Sequence, residues 1–196
     1  MSQLNTDIFR LINDWGKQLD FLNPIVVFIA EYTIYFLALA MLFYWFTGIK
    51  RYRMMVIQAG LAFVLAEVIG KLLGKLHEHH QPFAELPDVS KLIDHAINNS
   101  FPSDHTILFF SICTSFWLVR KRNGWFWLVL ATCVAISRVW VGVHYPVDIL
   151  VGAIVGIISA LICYWFIPDL RFIKRLLASY EKLEQRILPR RQKSRR

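Results

Sequence analysis

Residues 146–167 read Pro146-Val147-Asp148-Ile149-Leu150-Val151-Gly152-Ala153-Ile154-Val155-Gly156-Ile157-Ile158-Ser159-Ala160-Leu161-Ile162-Cys163-Tyr164-Trp165-Phe166-Ile167. Beyond Asp148 the run carries no charge. A helix of about 20 apolar residues matches the hydrocarbon core of a bilayer, and a leading proline suits the first helical turn. The stretch therefore reads as a transmembrane helix. Four further apolar runs precede it, from about Pro24 to Phe46, Met54 to Leu76, Ser103 to Val119 and Trp125 to Val141. The predicted fold is an all-α, polytopic membrane helix bundle with about five transmembrane helices and an N-terminal interfacial helix. That last helix is read from Ile8, Leu11, Ile12, Trp15 and Leu19, which recur at helical spacing among Asp7, Arg10, Asp14 and Lys17. It either lies in the interface or packs on the bundle.

Composition agrees. The 196 residues are 56% hydrophobic and 15% aromatic, with a mean hydropathy of +0.44, which a soluble domain of this length seldom carries. The length suits one domain. Residues 1–168 are expected to form the membrane-embedded domain and residues 169–196 a basic cytoplasmic tail, helical on the membrane or disordered. The tail holds ten Lys or Arg against three Asp or Glu, so seven of the eight net positive charges lie there. A basic tail after an apolar run fits inner-leaflet headgroups, and no nucleic-acid partner is expected. Cys113, Cys133 and Cys163 all sit within apolar stretches and read as small buried hydrophobes, with neither metal spacing nor a disulfide framework. Residues Met1 to Asp20 show no basic segment followed by an apolar core, so no cleaved signal peptide is expected.

Loop charge sets the orientation. Lys50, Arg51 and Arg53 link the first two spans, Arg120, Lys121 and Arg122 link the third and fourth, and the tail follows the fifth. With five spans these segments share one side, which the positive-inside rule makes cytoplasmic. The N-terminus, the Glu78–Phe101 segment and the Gly142–Tyr145 turn then face outward. Within the long outer segment, Ser90 to Ile97 suits either a short interfacial helix forming a lip over a site or a plain surface loop.

Two outward stretches concentrate polar chemistry: Phe101-Pro102-Ser103-Asp104-His105-Thr106, and Ser137-Arg138, five residues, His144, three residues, Asp148. Ser103 and Pro102 suit a helix start, whose open N–H groups and dipole favour an anion. An arginine at the depth of Arg138 is costly unless it is paired or faces a polar cavity, and its planar donors suit phosphate. Alternatively, Ser103 is an ordinary cap, and Arg138 with Asp148 a structural ion pair. Together the residues make a phosphoryl-transfer reaction. His144 is the candidate nucleophile, Asp148 its orienting carboxylate, and His105 the acid for the leaving oxygen and then the base for water. Arg138, Ser103 and Ser137 are candidate phosphate-binding residues. No metal or other cofactor is required, since Arg138 and the helix dipole supply a positive field. His77, His79 and His80 cluster; they either supply further phosphate donors, belong to a solvated interfacial loop, or hold a metal, although no carboxylate–His pattern there specifies one. Glu31 and Glu67 lie inside apolar spans. Glu67 has Lys71 one turn on as an ion-pair partner, whereas Glu31 is level with the site and expected to line it.

These motifs resemble the type-2 phosphatidic-acid phosphatase superfamily, whose members share Lys-x6-Arg-Pro, Pro-Ser-Gly-His and Ser-Arg-x5-His-x3-Asp. The third motif matches at Ser137, Arg138, His144 and Asp148. The second matches at Pro102, Ser103 and His105, with Asp104 in place of glycine. The Pro-Ser-Asp-His version and the Val-Gly-Val-His-Tyr-Pro-Val-Asp run resemble the bacitracin-resistance branch, the undecaprenyl-diphosphate phosphatases. The first motif departs from the family: Pro82 fits, but Gln81 stands for Arg and Gly74 for Lys, with Lys75 one residue later. The resemblance implies substrate contacts from Lys75, Gln81 and Asp104. It also implies a polyprenyl diphosphate lipid as substrate, a phosphohistidine intermediate, recycling of a cell-wall carrier lipid, and a bacterial cytoplasmic membrane with the site on the outer face. The residues themselves say only that a phosphate ester or anhydride is reached from the membrane surface. Another lipid phosphate (phosphatidylglycerophosphate or phosphatidic acid), or a non-enzymatic anion-binding membrane protein or transporter, stays open. The oligomeric state is not read from the sequence.

Overall fold

A computed structural model describes residues 2–187; the basic residues from Arg190 onward in the expected tail lie outside the described residues. Eight α-helices occur and no strand is present among the described residues: α1 (Gln3–Gln18), α2 (Asn23–Phe46), α3 (Lys50–Leu76), α4 (Pro82–Glu85), α5 (Asp104–Arg120), α6 (Trp125–Trp140), α7 (Pro146–Phe166) and α8 (Arg171–Ile187). The chain is an all-α membrane protein. α2, α3, α5, α6 and α7 follow the five apolar runs closely.

Among the described residues, only α2, α3 and α7 are long and apolar enough to cross a membrane by themselves, fewer than the five expected. α5 has 17 residues and α6 has 16. At 1.5 Å per residue they rise roughly 25 Å, short of the ~30 Å hydrocarbon core. α5 is the central helix, packed against α3, α6 and α7. Its Ser111, Thr114 and Ser115 are buried, so these hydroxyls meet protein rather than lipid. Two of them bond along the helix: Ser111 donates to the Leu108 carbonyl at 3.0 Å and Ser115 to the Ser111 carbonyl at 2.8 Å. α7 approaches α5 because it presents small residues. A Cβ on Gly156 would lie 2.9 Å from Phe110 Cβ and 2.9 Å from the Ser111 nitrogen.

The bundle has two chemically different ends. At one, Arg51 bonds the Val119 carbonyl, Arg120 donates to Tyr44 Oη at 2.9 Å, and Arg53 pairs with Glu184 of α8 at 2.6 Å. The other end gathers the starts of α5 and α7 with the ends of α3 and α6. α1 covers it, with Asn5, Phe9, Asn13 and Gly16 turned inward. Asn13 donates to the Trp140 carbonyl at 2.8 Å and accepts from the Ser90 nitrogen at 2.9 Å. Leu4, Leu11 and Trp15 stay exposed on the opposite face, so α1 both packs on the bundle and offers an apolar stripe to the interface. Residues 90–97 are a loop, not a helix. Ile93 is buried in a small cluster with Ala30, Val141 and Val143, and the Leu92 nitrogen donates to the Val141 carbonyl at 3.2 Å. These contacts fix an extended strap, which a helix could not make while spanning the same gap. Cys113 and Cys163 are buried, whereas Cys133 is exposed on the outward face of α6.

Candidate active site

The strap and the start of α2 enclose a cavity of about 310 Å³ with the ends of α5 and α6. α2 contributes Glu31 and Tyr35, the strap Asp94 and His95, α5 His105, and α6 Arg138. Arg138 is 2% exposed. Its Nη1 donates to the Ala30 carbonyl at 3.2 Å, while Nε is buried and has no hydrogen-bond partner among the described residues. Glu31 lies within electrostatic reach of Arg138. Arg138 is therefore a guanidinium with donors to spare at the wall of a polar cavity, the setting in which an intramembrane arginine is tolerated.

His144 sits in the turn between α6 and α7, which needs the left-handed backbone of Gly142 (φ +83°). It is 5% exposed. Its Nδ1 lies 3.0 Å from the Ser100 carbonyl oxygen, 3.1 Å from Ser100 Oγ and 3.5 Å from Asp148 Oδ2. Ser100 Oγ in turn donates to Asp148 Oδ2 at 2.7 Å. The carboxylate thus reaches the imidazole chiefly through the serine. Asp148 is fully buried and takes two further partners, the Tyr145 nitrogen at 2.9 Å and His79 Nε2 at 3.0 Å. With Nδ1 committed to these acceptors, the neutral ring keeps its lone pair on Nε2, which has no hydrogen bond among the described residues. Burial holds the His144 imidazole below its ordinary value. The Arg138 charge adds to this, while Asp148 pulls the other way. Burial and Glu85, which accepts from Tyr145 Oη at 3.2 Å, push the Tyr145 phenol up.

His144, Asp148, His105, Arg138 and Glu31 converge on this end of the bundle. His105 is within electrostatic reach of both Arg138 and His144. Ser103 is the N-cap of α5 but makes no side-chain cap, leaving first-turn N–H groups open. Its hydroxyl accepts from Thr106 Oγ1 at 3.1 Å. Ser137 Oγ donates back to the Val134 carbonyl at 2.6 Å within its own helix. The remaining candidates are not brought to the cavity. Asp104 and Lys75 are exposed. Gly74 is the α3 position pressed on the loop that leads into α5, since a Cβ there would lie 2.7 Å from the Phe101 oxygen and 3.1 Å from Asn99 Nδ2, and one residue on the helix turns by about 100°, which carries Lys75 outward. Gln81 is buried but engaged with Asn98: its amide donates to Asn98 Oδ1 and its carbonyl accepts from the Asn98 nitrogen at 3.0 Å.

Two residues of the site, Ser100 and His95, were given no role by the sequence, and His79 was noticed only as one of a histidine cluster. Ser100, His79 and His95 carry no motif, and only the folded loop brings them to Asp148, His144 and the cavity. Among the described residues no group of three or more His, Cys, Asp or Glu could hold a metal ion. Of the histidine cluster, His79 is taken by Asp148, and His80 Nδ1 lies 3.3 Å from the Asn98 carbonyl.

The family model described as the PAP2 superfamily matches residues 55–172. The chain belongs to the PAP2 superfamily. It is 57% identical over 193 residues to "Bacitracin transport permease protein BcrC" of Bacillus licheniformis, covering 98% of this chain and 95% of that one. It is 34% identical to "Undecaprenyl-diphosphatase BcrC" of Bacillus subtilis (strain 168), covering 92% and 93% of the two chains. Among solved structures it resembles the crystal structure of Aquifex aeolicus LpxE, with a TM-score of 0.71 and 28% identity over 84% of this chain and 97% of that one. The PAP2 match contains every residue of the His144 cluster except Glu31, which α2 supplies from outside it.

Proposed function

We propose that this PAP2 protein is a membrane phosphatase hydrolysing undecaprenyl diphosphate to undecaprenyl phosphate and phosphate. It thereby recycles a cell-wall carrier lipid and lowers bacitracin sensitivity. The observation that carries the reading is the buried His144, whose Nδ1 is tied to Ser100 and Asp148 while Nε2 stays free beside Arg138 and His105. Two curated relatives with this substrate in their names, from Bacillus subtilis and Escherichia coli, support the substrate.

In the first step the Nε2 lone pair attacks the terminal phosphorus. The P–N bond forms as the P–O bond to the bridging oxygen breaks, and protonated His105 gives its proton to the departing lipid phosphate. In the second step His105 takes a proton from water. The water oxygen attacks phosphorus, the P–N bond breaks, and phosphate leaves with His144 neutral again. Asp148, through Ser100, supports the positive charge that His144 carries between the steps. Arg138 and the open N–H groups of α5 hold the equatorial oxygens. The reactive end faces outward and the Arg51, Arg53 and Arg120 end faces the cytoplasm of a bacterial cell, following loop charge. Residues 169–196 form a cytoplasmic tail. The lipid tail remains in the bilayer while its headgroup enters the cavity.

The name of the Bacillus licheniformis relative favours a second reading, transport. Purified protein assayed for phosphate release from undecaprenyl diphosphate, alongside His144→Ala, separates the two. The enzyme releases phosphate, forms an acid-labile phosphohistidine, and loses both with the substitution. A transporter releases none, and its His144→Ala variant retains bacitracin resistance in cells.

A further inference from the structure

The cavity presents an electrostatic problem. Glu31 and Asp94 face it with Arg138 as the one permanent cation among its lining residues, so a multiply charged phosphate would meet two carboxylates and a single guanidinium. Gly74 and Gln81, where the family's first motif places positive charge, carry none, and the neighbouring Lys75 does not line the cavity. A further cation has to come from elsewhere. His95 is the group positioned to supply it. It lies on the strap, half-buried, with its ring edge-on to that of His144 at 6.0 Å between centroids and to Phe83 at 6.3 Å. Its backbone is anchored too: Lys91 Nζ donates to the His95 carbonyl at 3.1 Å while lying 4.2 Å over the Phe83 ring.

We infer that His95 is a phosphate-binding residue, which in protonated form completes with Arg138 the anion grip beside His144; this rests on the phosphatase reading above. The tautomer argument is direct. His95 Nδ1 lies 2.9 Å from the Ala96 carbonyl oxygen, so Nδ1 carries a hydrogen. A neutral ring then offers only a lone pair at Nε2, which repels a phosphate oxygen. A protonated ring offers an N–H and a positive charge. The groups facing His95 are Glu31, Tyr32 and Tyr35 of α2, Asp94 beside it, His105 of α5, Arg138 of α6 and His144 of the turn, with Lys91 behind. The arriving phosphate supplies the acceptor for that Nε2–H, and the site becomes competent as the anion enters.

The test measures inorganic phosphate binding by calorimetry, and KM and kcat for undecaprenyl diphosphate, in wild type, His95→Ala, His95→Gln and His95→Lys. His95→Ala and His95→Gln are expected to weaken phosphate binding and raise KM at least tenfold, with kcat changed less than about threefold. His95→Lys is expected to restore binding to within about threefold. The glutamine variant guards against misfolding of the alanine variant. If both variants bind phosphate as wild type does, or if lysine fails to rescue, the inference is overturned. If no protein releases phosphate from the lipid, the function reading fails, while the calorimetric comparison still decides the role of His95.

Discussion

Replacing Ser100 by alanine removes one hydroxyl and leaves the Ser100 carbonyl, 3.0 Å from His144 Nδ1, in place. The ring should therefore keep its tautomer and orientation. What is lost is the link to Asp148, since Ser100 Oγ donates to Oδ2 at 2.7 Å and Asp148 itself is 3.5 Å from Nδ1. A hydrogen bond to a charged group contributes about 1.5–3 kcal/mol. Asp148 keeps its bonds from Tyr145 and His79 in both variant and wild type, so the loss falls mainly on the charged state that His144 acquires during reaction. At 1.36 kcal/mol per tenfold in rate, kcat should fall about 10- to 150-fold with KM little changed. Phosphate release from undecaprenyl diphosphate in detergent gives both constants, and a thermal melt checks folding. Asp148→Asn should be worse than Ser100→Ala, because it removes the charge itself. A Ser100→Ala enzyme within twofold of wild type in kcat would refute the serine-mediated coupling and leave the 3.5 Å contact as the working one.

Three other outcomes follow from the same geometry. Gly156→Ala places a methyl 2.9 Å from Phe110 Cβ and the Ser111 nitrogen, and the overpacking should cost about 1–3 kcal/mol; an unchanged melting temperature would show that α5 and α7 can part freely. Glu184→Ala leaves Arg53, 1% exposed, with only the 3.8 Å Glu181 contact as an ion pair. The cost should be about 2 kcal/mol, below the ~3–5 for a fully buried pair because Glu184 is a quarter exposed, and limited trypsin digestion should release α8 sooner. Because burial holds the His144 imidazole below its ordinary value, the neutral nucleophile persists to lower pH. The acid limb of kcat/KM should therefore lie below the free-histidine value of about 6.5, and a limb above 6.5 would contradict the assigned environment.

Much of this protein was legible from residue order because the signals are local. The apolar runs that became α2, α3, α5, α6 and α7 are properties of consecutive side chains, and a bilayer reads them by length and polarity. His144 and Asp148 are four residues apart across a turn and the start of α7, so their proximity follows from helical spacing. Arg138 and His105 stand at helix ends that five spans bring to one side. What tertiary structure alone decided is contact between segments distant in sequence. Ser100 meets His144 and Asp148 across more than 40 residues, and His79 meets Asp148 across 69. Asp94 and His95 enter the cavity only because Ile93 anchors the strap on Ala30 and Val141. The expected contacts from Lys75 and Gln81 were lost for the same physical reason. Helix rotation at Gly74 and a loop bond to Asn98 decide where those side chains go, and neither is visible in the spacing of a motif.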